Sequence, residues 1–220
     1  MPFGFFDGVH GAGYRMFFQT FVKTGIATLP SRLFDGLSGG ANLMFCETFR
    51  ESGLTEIPEN LFGDSQLTTE YGMFMSMFSG CGKLKTIPAD LFANVKGEPN
   101  DNLFAKTFMS CPELTGIPSG LFAGLRTDSE YKRDMFLSTF DDCPKLGGES
   151  AKIGDKYLYE IWPDIPMQYT YENDTGLTDY ECIPIGWGGA GTKAPGTCTT
   201  DTATGAINVK IGEDIYHTTN

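Results

Sequence analysis

The six cysteines are the residues of this chain best suited to nucleophilic or metal chemistry, and three of them occupy equivalent positions relative to a phenylalanine. Cys81, Cys111 and Cys143 each follow a phenylalanine by three residues, and the equivalent earlier positions hold Thr24 and Ser52. A position that accepts Cys, Ser or Thr is typical of a pocket for small side chains, so we expect buried thiols stacked in a ladder. The chain has only 2 histidines, neither near these cysteines in sequence, which weakens a Cys–His nucleophile or a zinc site.

The other pair of interest is Cys182 and Cys198, which bracket a glycine-rich stretch over residues 183–191. A disulfide between them would stabilise a small domain by about 3 kcal/mol in the chain-entropy picture. Such a bond persists in an oxidising compartment. The sequence therefore predicts a disulfide, conditional on that compartment.

Two motifs that suggest cofactors or metals lack the required context. Residues 186–191 fit G-x-G-x-x-G, but Pro195 follows closely, where a dinucleotide site needs a long helix. An oxygen-rich cluster near residue 175 lacks the spacing of a calcium-binding loop and reads as an acidic turn. We therefore predict no cofactor, no metal ligand and no catalytic residue. The four members of the oxygen-rich cluster are Asn173, Asp174, Asp179 and Glu181.

Three aromatic residues near the C-terminus are candidate ligand contacts, namely Tyr169, Tyr171 and Trp187. Exposed aromatic rings stack well on sugar faces. The alternative, which this density of aromatic residues favours, is that they form the core of a cap over the preceding part of the chain.

An internal repeat must position all of these residues. The prolines Pro2, Pro30, Pro58, Pro88 and Pro118 recur at intervals of 28, 28, 30 and 30 residues, and a phenylalanine follows each by four. A Phe-x-x-x-Phe pair comes later in each unit, so three positions in five repeats account for 15 of the 18 phenylalanines. The pairs are Phe17/Phe21, Phe45/Phe49, Phe74/Phe78, Phe104/Phe108 and Phe136/Phe140.

Each repeat predicts one short strand and one or two short helices. The i,i+4 spacing of the phenylalanine pair is typical of one helical face. The segment 114–117 is short, contains strand formers and is stopped by Pro118. We therefore predict an α/β solenoid, a leucine-rich-repeat-like stack of about five 28–30-residue strand–helix units, in which neighbours bury the phenylalanine face that one unit cannot bury alone.

Aromatic composition divides the chain in two. All 18 phenylalanines lie at or before Phe140, whereas both tryptophans and six of the nine tyrosines lie after residue 150. We place a boundary near Gly147–Gly148, giving a repeat solenoid over 1–148 and a β-rich cap or small domain over 149–220. Within the latter, alternation predicts a strand over 167–171 and a hairpin over 206–217.

The repeats resemble the leucine-rich-repeat superfamily, and most closely its BspA-like (Treponema-type) bacterial surface proteins. The residues that carry the resemblance are the Phe-x-x-Cys-x-x-Leu-x-x-Ile segments of 78–87 and 108–117 and the shorter match of 140–146. The resemblance implies a non-enzymatic protein-binding or adhesion module, extracellular or on a bacterial cell surface. Its partner would be a host or neighbouring-cell protein or glycan, bound through the solenoid surface, the C-terminal aromatic residues or both.

Composition excludes some partners and leaves one alternative open. A net charge of −12 over 220 residues argues against nucleic acid, and no apolar run is long enough for a transmembrane helix.

The first repeat has no polar cap and no signal peptide, so we expect a fragment of a longer protein. The alternative is a structural element that stacks, or self-associates, through this uncapped N-terminal repeat end.

Overall fold

A computed structural model describes residues 4–130, 132–164, 168–195, 197–201, 206–211 and 214–217. Its secondary structure is sparse, and nearly half of the described residues lie in hydrogen-bonded turns. Within the described ranges no helix has the length and apolarity that a membrane crossing requires. The strands are β1 (Ser38–Gly39), β2 (Gln66–Thr68), β3 (Val95–Lys96), β4 (Lys152–Ile153), β5 (Lys156–Tyr157), β6 (Cys198–Asp201), β7 (Ala206–Ile211) and β8 (Asp214–His217).

The prediction of an α/β solenoid of strand–helix units is wrong. Among the described residues there is one α-helix, α1 (Leu158–Ile161), which has 4 residues and lies outside the phenylalanine repeats. The stretches that carry the phenylalanine pairs are turns, and the strands form small sheets. The structure therefore lacks the solenoid and the helix-rich repeat architecture that the resemblance to leucine-rich-repeat proteins implied.

Backbone conformation at one residue explains why the phenylalanine pairs are not helical. Glu47, between Phe45 and Phe49, has a φ of 55°, in the left-handed region that interrupts a right-handed helix. The Phe45 N–H donates to the Met73 carbonyl of the next repeat at 2.9 Å, whereas the Cys46 N–H donates locally to Leu43 at 3.2 Å. Local and inter-repeat bonds alternate in this way along the segment, so its amides are satisfied without a helix.

The phenylalanines nevertheless form rows. In one row Phe17, Phe45 and Phe74 lie parallel, with centroids 5.2 and 5.6 Å apart. The predicted row of Phe34, Phe62 and Phe92 is also confirmed, with centroids 5.7 and 6.5 Å apart. Pairs of this kind add about 0.5–1.5 kcal/mol each to the free energy of area burial. A third row contains Phe21, Phe49, Phe78, Phe108 and Phe140.

Parallel pairing joins the segments that follow the first phenylalanine of each repeat. β1, β2 and β3 form one three-stranded sheet in chain order, with Ser38 opposite Gln66 and Leu67 opposite Val95. Their small size follows from the turns on either side, which leave two or three residues for each strand.

The C-terminal part combines turns with two antiparallel sheets. β4 and β5 form a short hairpin that leads into α1. The predicted hairpin of 206–217 is confirmed, because β7 pairs with β8 in antiparallel fashion, and β6 pairs with the other side of β7. The predicted strand over 167–171 is wrong for residues 168–171, which lie in a turn and irregular chain, while Met167 lies outside the described residues.

Candidate binding groove

The three aromatic residues predicted as ligand contacts do not form an exposed platform. Tyr171 and Trp187 are 0% and 1% exposed, and Tyr171 stacks between Phe140 at 5.9 Å and Trp187 at 6.4 Å. Tyr169 is 37% exposed. Turn geometry places the rings of Tyr171 and Trp187 in the core, so of the three only Tyr169 offers a ring to solvent.

The cysteines that share a repeat position form the expected buried ladder, here called the cysteine column. Cys81 Sγ donates to the Phe49 carbonyl at 3.2 Å, and Cys111 Sγ repeats the contact one unit later with Phe78 at 3.3 Å. Burial raises the pKa of both thiols. A protonated thiol that donates to a carbonyl is a packing group and a poor nucleophile.

Asp174 occupies the next position of the cysteine column, which sequence reasoning missed. The Cys143 N–H donates to Asp174 Oδ1 at 3.0 Å, and the side chain is 0% exposed. Burial is the main cause that raises the Asp174 pKa to about 8, and the nearby Asp141 and Asp142 carboxylates add to the shift. Asp174 Oδ2 is buried without a hydrogen-bond partner among the described residues.

The structure joins Cys182 to Cys198 by a disulfide with an S–S distance of 2.07 Å. Cys198 begins β6, so the bond ties the C-terminal sheet to the turn region around Cys182. The Tyr157 hydroxyl donates to Glu149 Oε1 at 2.8 Å and also lies 3.4 Å from the Cys198 carbonyl oxygen.

The oxygen-rich residues predicted to form an acidic turn are not brought together as a cation site. Asp179 is buried and accepts bonds from the Ser150 hydroxyl at 2.6 Å and the Tyr159 hydroxyl at 3.0 Å. Its role is therefore to link three segments of the C-terminal part. In the described part of the chain, no group of three His, Cys, Asp or Glu side chains is arranged to hold a metal.

An open surface feature arises from the prolines that mark the repeat. The Lys85 N–H donates to the Thr55 carbonyl at 3.3 Å, and the Thr115 N–H donates to Lys85 at 3.1 Å, which makes a short backbone ladder between repeats. The next amides in register, those of Ile87 and Ile117, donate to no described backbone group, and the adjacent Pro88 and Pro118 have no N–H. A depression lies along these segments.

We call this depression the proline groove. Its larger part has a volume of about 550 Å³ and its smaller part about 250 Å³, and the two share Thr86, Ile87 and Pro118, so they are continuous across three repeats. The smaller part adds Thr115, Gly116 and Ile117 to the lining. The residues that line the larger part are Glu56, Ile57, Pro58, Glu59, Thr86, Ile87, Pro88, Ala89 and Pro118.

The charges around the proline groove are separated into two strips. Glu56 and Glu59 are exposed at the groove, and neither makes an ion pair with a described residue. Lys83 and Lys85 line a neighbouring depression of about 430 Å³ together with Glu113. The groove itself is therefore negative, with an apolar floor.

Neither a family model, nor a curated protein, nor a solved structure matches this chain significantly. The resemblance to BspA-like proteins therefore stays a prediction from the repeat residues. The recurring Ile-Pro dipeptide was the one sequence signal for the groove, since it places an apolar side chain beside a residue that cannot donate.

Proposed function

We propose that this chain is a non-enzymatic recognition module that binds a protein partner through the proline groove. The observation that carries the proposal is the continuity of the groove across three repeats, over a floor formed by Ile57, Ile87 and Ile117. An apolar floor with a few polar groups at its edge is the usual composition of a binding surface. An open depression of this kind suits equilibrium association.

The proposal includes a location outside the cell or on a bacterial cell surface. The Cys182–Cys198 disulfide supports an oxidising compartment, because such bonds are rare where glutathione and thioredoxin keep thiols reduced. The bacterial assignment, and the choice of a host or neighbouring-cell partner, rest on the sequence resemblance alone.

The burial of Tyr171 and Trp187 favours the groove over the C-terminal aromatic residues as the contact surface. A glycan that stacks on aromatic rings would find only Tyr169 exposed among the three candidates. We therefore place a protein partner ahead of a glycan.

An array of extracellular proteins and glycans, probed with the labelled full chain, tests the proposal. Ala89 is exposed in the groove, so Ala89→Arg should abolish binding to a protein found by the wild type. Ala123→Arg is the matched control, since Ala123 is also exposed but does not line the groove. Binding that survives Ala89→Arg, or that is lost equally in both variants, would overturn the proposal.

A second candidate, assembly through the first repeat, has one specific observation in its favour. The carbonyls of Met44 and Thr48 each accept an N–H from the preceding repeat. Their first-repeat counterparts, Met16 and Thr20, accept none from any described backbone group. Phe5, whose ring centroid lies 6.5 Å from that of Phe21, is 50% exposed. Light scattering at high protein concentration tests this candidate, and a strict monomer would contradict it.

A further inference from the structure

We propose that the occupant of the proline groove is an extended peptide segment of a partner protein that places a lysine or arginine against Glu56 and Glu59. This inference rests on the proposed function and specifies its ligand.

The extent of the groove across the repeats sets how many residues of an extended segment it contacts. Successive paired segments lie about 4.8 Å apart, so a groove across three repeats is about 10 Å long. An extended chain rises about 3.3 Å per residue, and three residues therefore span it.

The floor favours aliphatic side chains or proline in the occupant. Ile57 and Ile87 are 5% and 7% exposed, so only their tips face the groove, and Pro58, Pro88 and Pro118 form its walls. No aromatic side chain from the described part of the chain lines the groove, so these residues offer no stacking contact of the kind that sugar rings prefer.

The negative charge of the groove decides the sign of the charge on the bound segment. Among the described residues, Glu56 and Glu59 are the only charged ones that line the groove, and the whole chain carries a net charge of −12. A cationic side chain gains a charge-assisted hydrogen bond at these carboxylates, and the overall field speeds its approach. An acidic segment is repelled by the same groups.

The neighbouring lysine strip sets a limit on where the cation sits. Lys83 and Lys85 lie in the adjacent depression, beside Thr55. A basic side chain displaced toward them loses the attraction of the two glutamates and meets like charge. The favourable position is therefore over the Ile-Pro segments, between Glu56 and Pro118.

Fluorescence anisotropy with two labelled nonapeptides tests the inference on the full chain. One probe repeats the sequence Val-Lys-Pro and the other repeats Val-Glu-Pro. We expect the lysine probe to bind more tightly, and more weakly as salt rises. The double variant Glu56→Gln/Glu59→Gln should weaken this binding about fivefold, as expected for two exposed charge pairs.

The double variant Glu130→Gln/Asp155→Asn is the control, because it changes the net charge equally at exposed positions outside the groove. Equal weakening in both double variants, or no preference for the lysine probe, overturns the inference. If Ala89→Arg still abolishes array binding while the lysine probe shows no preference, the inference fails and the proposed function stands. If groove variants change neither assay, both fail.

Discussion

Tyr171 lies on Phe140 with the two ring centroids 5.9 Å apart and the ring planes 1° from parallel. The contact extends the phenylalanine row beyond residue 148, the point at which aromatic composition changes. The Tyr171 hydroxyl also accepts the Ala151 N–H at 3.2 Å, so one side chain joins the last phenylalanine pair to the segment before β4.

Removing the Tyr171 hydroxyl alone should lower the free energy of unfolding by less than removing the whole side chain. Tyr171→Phe keeps the ring but leaves the buried Ala151 N–H without its acceptor, which costs about 1–3 kcal/mol. Tyr171→Ala also opens a cavity and should cost about 3–5 kcal/mol. Urea unfolding followed by far-ultraviolet circular dichroism measures both. A Tyr171→Phe variant as stable as the wild type would contradict a role for the hydroxyl, and equal losses in the two variants would contradict a role for the ring.

A glycine substitution distinguishes the turn structure from the helix that the sequence predicts. Lys106 is exposed, lies between Phe104 and Phe108, and has a φ of 58°. Lys106→Gly should raise the free energy of unfolding by about 0.5–1 kcal/mol, because relief of left-handed strain exceeds the added entropy of the unfolded chain. In a helix the same change would lower it by about 1 kcal/mol.

Lys83→Gly is the matched control for that experiment, since Lys83 is exposed but is not among the residues with positive φ. Thermal unfolding of both variants gives the sign. A loss of stability in Lys106→Gly as large as in the control would contradict the turn assignment.

Sequence reasoning predicted which rings stack but not how the backbone achieves it. The recurrence of Phe34, Phe62 and Phe92 implied a row because one repeat cannot cover its own aromatic face. The i,i+4 pairs, however, suit a helix and this turn series equally well. The residues that interrupt the helix by a left-handed conformation include Glu47 and Lys106. Glutamate and lysine do not indicate a positive φ in a sequence, whereas a glycine at these positions would have indicated one.

The candidate site was partly visible in the sequence. The prolines marked the repeat, and the isoleucines that precede Pro58, Pro88 and Pro118 line the groove. Nothing in the sequence set Asp174 apart from a surface turn, because the pattern of Cys, Ser and Thr in the cysteine column gives no reason to expect a carboxyl group. Only the stacking of the repeats places it there.

The free thiols should be unreactive in the folded protein. Cys46, Cys81, Cys111 and Cys143 are buried, and burial raises the pKa of Cys46 to about 12. Because the thiolate is the reactive form, Ellman's reagent at pH 8 should label none of them until denaturant is added. Thr127→Cys, at an exposed position, supplies a rapidly labelled control. Fast labelling of the native wild-type chain would contradict the prediction, because it would show that at least one of these four thiols is accessible.

Breaking the Cys182–Cys198 bond should weaken the fold. The double variant Cys182→Ser/Cys198→Ser should lose about 3 kcal/mol in the free energy of unfolding, since the unfolded chain regains its loop entropy. Guanidinium unfolding with and without a reducing agent measures it. Reductant should shift the wild-type transition and leave the variant unchanged, and a wild type indifferent to reductant would contradict the prediction.

Asp174 should make the protein less stable as pH rises. Its pKa in the fold is about 8, raised by burial, against about 3.9 in an unfolded chain. The fold therefore favours the protonated form, while the unfolded chain ionises above pH 4. The stabilisation is fully present below about pH 4 and is lost progressively up to about pH 8, at about 1.4 kcal/mol per pH unit.

Replacing the carboxyl by neutral groups should remove this dependence. Asp174→Asn keeps an acceptor for the Cys143 N–H, and Asp174→Ser places in the column the residue type found at Ser52. Both variants should show a flatter change of unfolding free energy between pH 4 and pH 8 than the wild type, whatever their stability at one pH. Urea titrations at five pH values give the slopes. An unchanged slope in both variants would mean that Asp174 stays ionised in the fold, so that Oδ2 would need a charge partner which the packing around Cys143 does not supply.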